Sequence, residues 1–129
     1  MANAAPIVIN DGKATPAAVT FSPESVATGE ASFVDRTPGV AVGFRRVTVQ
    51  YKPARGASKV NRAKCLIEMP VTQTVNGITS TAYTLRANVD VILPDQSTIA
   101  ERNDLYAFLQ NGLGNALVRG AIRDLDPIW

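Results

Sequence analysis

Five side chains suited to phosphates or to hydrogen-bonding edges fall at alternate positions of two neighbouring segments. Thr48, Gln50 and Lys52 share one side of the first, and Arg62 and Lys64 share one side of the second. Paired as strands, the segments would place these groups on one contiguous surface, which Arg86 and Asn88 of a later segment would extend. Lys and Arg neutralise phosphates, while Thr, Gln and Asn reach base edges. The same pattern also fits an ordinary solvated sheet face. No aromatic residue lies on this side for base stacking, so general RNA affinity is a firmer expectation than sequence-specific reading.

The net charge of +2 hides an uneven distribution. Arg36, Arg45, Arg46, Lys52, Arg55, Lys59, Arg62 and Lys64 occur between positions 36 and 64 with no acid among them. Residues 1–35 hold only Lys13 against Asp11, Glu24, Glu30 and Asp35, and residues 65–129 hold four bases against seven acids. A basic block of this kind favours phosphate-rich partners through counterion release; a solvated face accounts for it equally well. Catalysis is poorly served. The chain has no histidine, the commonest general base, and one cysteine, which excludes an internal disulfide, a CxxC pair and a cysteine-based zinc site. Cys65 sits among apolar neighbours and reads as core. No glycine-rich phosphate motif opens a helix, and no spacing singles out a carboxylate pair. No enzyme activity, cofactor or metal is expected.

The elements that must hold these residues are strands first and helices afterwards. Pro6–Ile9, Ala18–Phe21 and Ala31–Val34 are short apolar runs bounded by turn signals. From Phe44 to Lys52, Val47, Val49 and Tyr51 alternate with Arg46, Thr48, Gln50 and Lys52. From Val60 to Met69, Ala63, Cys65, Ile67 and Met69 alternate with Arg62, Lys64, Leu66 and Glu68, and Pro70 is expected to end or interrupt the strand. Thr81 to Leu93 reads as the last long strand, with Leu85, Ala87, Val89, Val91 and Leu93 on one side. The segment Gln73, Thr74, Val75, Asn76, Gly77, Ile78, Thr79, Ser80 has two readings: an Asn-Gly hairpin turn, or a loop whose Val75 and Ile78 touch neighbouring subunits.

Thr98 and Glu101 have capping-box spacing ahead of Leu105, Leu109 and Leu113, and Gly112 and Gly114 end or bend that helix. A second short helix carries Leu117, Ala121 and Leu125 and is expected to stop at Asp126-Pro127. The terminal Ile128-Trp129 is either a frayed end or an interface anchor. The fold class is α+β with an antiparallel sheet, in a single domain over 1–129 made of a sheet part, 1–94, and a helical part, 95–129. Two short helices barely cover one apolar face of such a sheet, and a homodimer pooling sheets and helices would solve this. The N-terminus lacks a signal-peptide layout, and no apolar run approaches the ~20 residues of a membrane span, so a soluble, intracellularly made protein without a membrane partner is expected. Met1 precedes a small residue, the setting in which it is removed.

Several segments, in order and spacing, resemble the coat proteins of the single-stranded RNA bacteriophages, the leviviruses, above all the Q-beta type. Arg46-Val47-Thr48-Val49 is similar to the family's strand after its third sheet segment, and Ile67-Glu68-Met69-Pro70 to the end of the next. Thr72-Gln73-Thr74-Val75-Asn76-Gly77 resembles the loop between the last two strands, Asn88-Val89-Asp90-Val91-Ile92-Leu93-Pro94 the last strand, and Asp126-Pro127-Ile128-Trp129 the family's ending. The resemblance covers nearly the whole chain.

It implies an N-terminal β-hairpin, a five-stranded antiparallel sheet and two C-terminal α-helices. Two chains would form an interlocked homodimer, with the helices of each over the sheet of the other. Dimers would build an icosahedral shell, usually T=3, around genomic single-stranded RNA, with the polar sheet face inward, in a virion made in the bacterial cytoplasm. The inner face would also bind an RNA hairpin at the replicase start, repressing translation and marking the genome for packaging. Thr48, Gln50, Lys52, Arg62, Lys64 and Asn88 match the family's RNA-contact strands. Leu66 stands where some members have a basic contact, and Arg86 where some have a stacking tyrosine. The loop at 73–80 holds no cysteine for disulfide-linked rings and no proline for a cis-proline switch. A dimeric RNA-binding regulator that does not assemble is the alternative.

Overall fold

The computed structural model describes residues 3–128. The removal of Met1 and the two readings of Trp129, frayed end or anchor, lie outside them. Two compact units meet in sequence between Ile92 and Leu93, and each is described by itself.

The first unit is a curled antiparallel sheet. Its strands are β1 (Ile7–Asn10), β2 (Ala18–Ala27), β3 (Glu30–Asp35), β4 (Arg45–Lys52), β5 (Val60–Val75) and β6 (Ile78–Pro94), hydrogen-bonded in that order. The β1–β2 hairpin is closed by Asp11, whose side chain accepts from the Lys13 and Ala17 N–H groups while its own N–H donates to the Ala17 carbonyl. β2 serves both expected parts of the sheet. Ala18–Phe21 pairs with β1, and Ser22–Ala27 pairs with β3 across a register shift between Pro23 and Ser25. The N-terminal hairpin and the five-stranded sheet, β2 to β6, therefore share one strand.

The period-two pattern places Phe21, Phe33 and Val47 on one face as a buried cluster, with Ile7, Val19, Ala31 and Cys65 packed against it. The cluster fades toward β5 and β6. Val49, Ile67, Met69 and Leu85 are exposed, and Tyr51 is 50% exposed. The turn between β2 and β3 requires its glycine: Gly29 has φ +80°, and a Cβ there would lie 2.7 Å from the Tyr51 carbonyl oxygen.

One sequence expectation is corrected here, and one with two readings is decided. Pro70 does not end a strand, because β5 continues to Val75. The last β4–β5 pair is Arg46 with Glu68, so the missing Pro70 N–H breaks no bond to β4. The segment 73–80 takes the Asn-Gly hairpin reading. Gln73–Val75 complete β5, Ile78–Ser80 begin β6, and only Asn76 and Gly77 turn the chain. Both have left-handed φ, 52° and 78°, as a two-residue type I′ turn demands. The Thr74 and Thr79 hydroxyls meet across it at 3.1 Å. Val75 and Ile78 flank the turn with exposed side chains.

The second unit holds α1 (Ile99–Leu113) and α2 (Ala116–Arg123). α1 opens with the expected capping box: Thr98 Oγ1 accepts from the Glu101 N–H, and Glu101 accepts from the Thr98 N–H at 2.8 Å. It ends at Gly114, and Asn115 caps α2 by accepting from the Leu117 N–H. α2 stops at Arg123, earlier than Asp126-Pro127, because Leu125 turns left-handed at φ 55° and the Asp124 and Asp126 N–H groups both return to the Gly120 carbonyl. Neither helix has a buried residue, and Phe108 is 74% exposed. No helix among the described residues is long and apolar enough to cross a membrane.

Candidate nucleic-acid interface

The β4–β5 register decides whether the sequence-predicted residues meet. Thr48 lies opposite Leu66, Gln50 opposite Lys64 and Lys52 opposite Arg62. Cross-strand partners share a face, so Thr48, Gln50, Lys52, Arg62 and Lys64 form one surface. Val47, Val49 and Tyr51 face the other way, opposite Ile67, Cys65 and Ala63. β3 extends the polar face: Ser32 pairs with Thr48, their hydroxyls 3.2 Å apart, and Glu30 pairs with Gln50. Arg86 and Asn88 are exposed on β6, next in the sheet to β5. Leu66 adds a half-buried apolar group between Lys64 and Glu68.

Neutral groups hold the Lys52 end in shape. The Tyr51 N–H donates to the Gly29 carbonyl at 2.7 Å. Asn61 Oδ1 accepts from the Tyr51 hydroxyl at 3.1 Å and from the Ala54 N–H at 2.9 Å, tying down the connection between the strands. Lys52, Arg62 and Lys64 belong to none of the ion pairs among the described residues.

The opposite end of β4 is neutralised. Arg46 donates through both Nε and a terminal nitrogen to Glu24, at 3.0 and 3.3 Å, and lies in register with Glu68. The hydrogen bond from Arg46 holds the Glu24 carboxyl below its ordinary range. Glu24 is the residue skipped by the β2 register shift, a bulge that re-aims its side chain. The bridge from β2 to β4 crosses β3 near Val34, which is 1% exposed although it lies on the polar side.

On the other face, Asp35 is fully buried and pairs with Arg45, also by a 2.8 Å bond from Arg45 Nε. Burial pushes the Asp35 carboxyl up, but hydrogen bonds from the Thr37 hydroxyl and N–H and from Arg45 outweigh it, and the net shift is downward. Burial likewise raises the Cys65 thiol, leaving it a poor nucleophile. Sequence reasoning missed Glu24 and Asp35 as partners; Pro23, a residue strands tolerate at bulges, was the one local signal.

Residues 2–129 match the family model for the levivirus coat protein. The chain belongs to the levivirus coat protein family. It is 28% identical to the capsid protein of Pseudomonas phage PRR1 over 109 residues, 83% of this chain and 82% of that one. Its fold superposes on the subunit of the virus-like particle of Beihai levi-like virus 21 with a TM-score of 0.90, at 26% identity and 99% coverage of both chains. The virus-like particle of bacteriophage NT-214 gives the same TM-score at 25% identity, over 99% of this chain and 100% of that one. A coat protein is a structural subunit and not an enzyme. The hairpin, antiparallel sheet and two helices are those the resemblance implied.

Proposed function

We propose that this coat protein, acting over 1–129 as one domain, forms an interlocked homodimer that closes into an icosahedral virion shell, T=3 as is usual in the family, around single-stranded RNA. The carrying observation is the two-faced sheet. One face presents Thr48, Gln50, Lys52, Arg62 and Lys64, with no acid paired to the three cations among the described residues. The other leaves Val49, Tyr51, Ile67 and Met69 exposed, and the helices leave Ile99, Leu105, Tyr106 and Phe108 exposed. A large apolar side chain gains about 1.5–3 kcal/mol on full burial, so a solitary chain forgoes many such terms and a second copy recovers them. A dimer with the helices of each chain over the sheet of the other fits this need and leaves the polar face for RNA.

On this reading Arg86 and Asn88 extend the RNA-contact surface, and Gln73, Thr74, Val75, Asn76, Gly77 and Ile78 touch neighbouring dimers. The same inner face takes an RNA hairpin, which represses replicase translation and promotes packaging, in the bacterial cytoplasm where the shell is made. Expression of the full chain, followed by electron microscopy, sizing and measurement of particle RNA, tests the proposal. Closed particles containing RNA are expected. A species that stays dimeric under all assembly conditions would replace the shell with a non-assembling RNA-binding regulator.

A further inference from the structure

Arg46 stands in the same row as Thr48, Gln50 and Lys52, yet it faces two carboxylates. Glu24 holds it through two hydrogen bonds, and Glu68 lies directly across from it on β5. Arg36 adds an attraction to Glu24, and Arg46 is drawn to Glu68 as well as to Glu24. Two N–H donors of the Arg46 fork are committed to Glu24, and the two carboxylates beside it repel a phosphate that would approach the others. The arrangement comes from a local backbone irregularity. Ser22 and Pro23 pair with Val34 and Phe33, Ser25 pairs with Ser32, and Glu24 is the extra residue between them. A bulge of this kind redirects one side chain while the ladder resumes on either side. The Arg46 side chain is 39% exposed, within reach of a ligand once released.

We propose that Glu24, delivered by the β2 bulge, fixes the edge of the RNA-contact surface by withholding Arg46 from phosphate. The inference rests on the RNA-binding reading above and assigns a specificity-determining residue within it. RNA then tracks the face from Thr48 toward Lys52, Arg62 and Lys64 and is turned away at the Glu24–Arg46–Glu68 end. Glu24 limits the number of phosphate contacts, and so the salt dependence of binding, without touching RNA.

The test measures binding of the full-length protein to a labelled mixed-sequence single-stranded RNA oligomer across a salt series. Each phosphate contact contributes about 0.7 to the slope of log affinity against log salt on single strands. Glu24→Gln keeps the size of the side chain and releases Arg46, so the slope should steepen by about 0.7, equivalent to a further ~2.6-fold loss of affinity over a fourfold rise in salt. Arg46→Gln should leave the wild-type slope unchanged, whereas Lys52→Gln should reduce it by about 0.7. The double variant Glu24→Gln with Arg46→Gln should return to the wild-type slope. An unchanged slope in Glu24→Gln, or a reduced one in Arg46→Gln, overturns the proposal while wild-type binding stands. Should Glu24→Gln fail to fold, Arg46→Gln and Lys52→Gln still decide between the two outcomes. Wild-type protein with no salt-dependent RNA binding would instead sink the RNA reading, and the proposal with it.

Discussion

Arg45 and Arg46 at the start of β4 and Lys52 at its end belong to the same acid-free run, yet their surroundings are opposite. At the start, Asp35 binds Arg45 on one face and Glu24 binds Arg46 on the other, with Glu68 alongside. At the end, Lys52, Arg62 and Lys64 sit without ion pairs among the described residues, and the backbone around them is held by Gly29, Tyr51 and Asn61. The acids that close the first end all come from outside the run. A block of like charge therefore marks where cations are concentrated, while strand register decides which of them stay available. Cations committed to carboxylates lock strands together; uncommitted ones can serve a phosphate ligand.

The largest expected effect tests the closed end. Asp35→Ala removes a buried carboxylate that accepts from Thr37 and Arg45. Breaking a buried ion pair costs about 3–5 kcal/mol, and the partly exposed Arg45 argues for about 3. Denaturant unfolding at neutral pH should show this loss, and an unaltered midpoint would break the view that ion pairs secure this end. The pair also sets a pH dependence. The Asp35 carboxyl lies below its ordinary value of 3.8 in the folded chain. Its contribution is thus complete above that value and disappears as pH falls through the lower folded one. Wild type and Asp35→Ala should converge in stability at strongly acidic pH, and a gap that persists there would show that packing, not charge, carries the loss.

The open end should respond to backbone changes and ignore pH. Gly29→Ala forces a Cβ against the Tyr51 carbonyl at a left-handed φ, so a loss of about 1–2 kcal/mol is expected, with the same size at neutral and mildly acidic pH. Asn61→Ala strips the acceptor from the Tyr51 hydroxyl and the Ala54 N–H, for about 1 kcal/mol. Thermal melts of both variants across pH would sharpen the contrast with Asp35→Ala. A pH-dependent loss in either would blur it.

The open end was legible in the sequence because its information is local. Alternation over Phe44–Lys52 and Val60–Met69 assigns Thr48, Gln50, Lys52, Arg62 and Lys64 to one face, and the single β4–β5 register does the rest. The capping box at Thr98 and Glu101 was readable for the same reason, since partners three residues apart meet whenever a helix starts there. The closed end was not legible. Asp35 and Arg45 are 10 residues apart, and Glu24 and Arg46 are 22 apart, so their meeting depends on three strands being in register. Pro23 announces that β2 is irregular but not which side chain the irregularity redirects. The continuation of β5 through Pro70 was hidden for a related reason: whether a proline interrupts a strand depends on which neighbour its missing N–H would have served, and sequence alone does not show that β4 has already ended.

The smallest expected effect on stability is the most telling for function. Arg62→Ala with Lys64→Ala removes two cations that enter no ion pair among the described residues, so the melting midpoint should move little, within the ±0.5 kcal/mol usual for surface substitutions. The same change should flatten the salt dependence of single-stranded RNA binding by about 1.4 and lower the RNA content of assembled particles. The two readouts must separate, because side chains that lock no strands in place contribute to a ligand and not to the fold. If stability falls with RNA binding, these cations are structural after all. If neither changes, the polar face of β4 and β5 is not the surface that meets RNA.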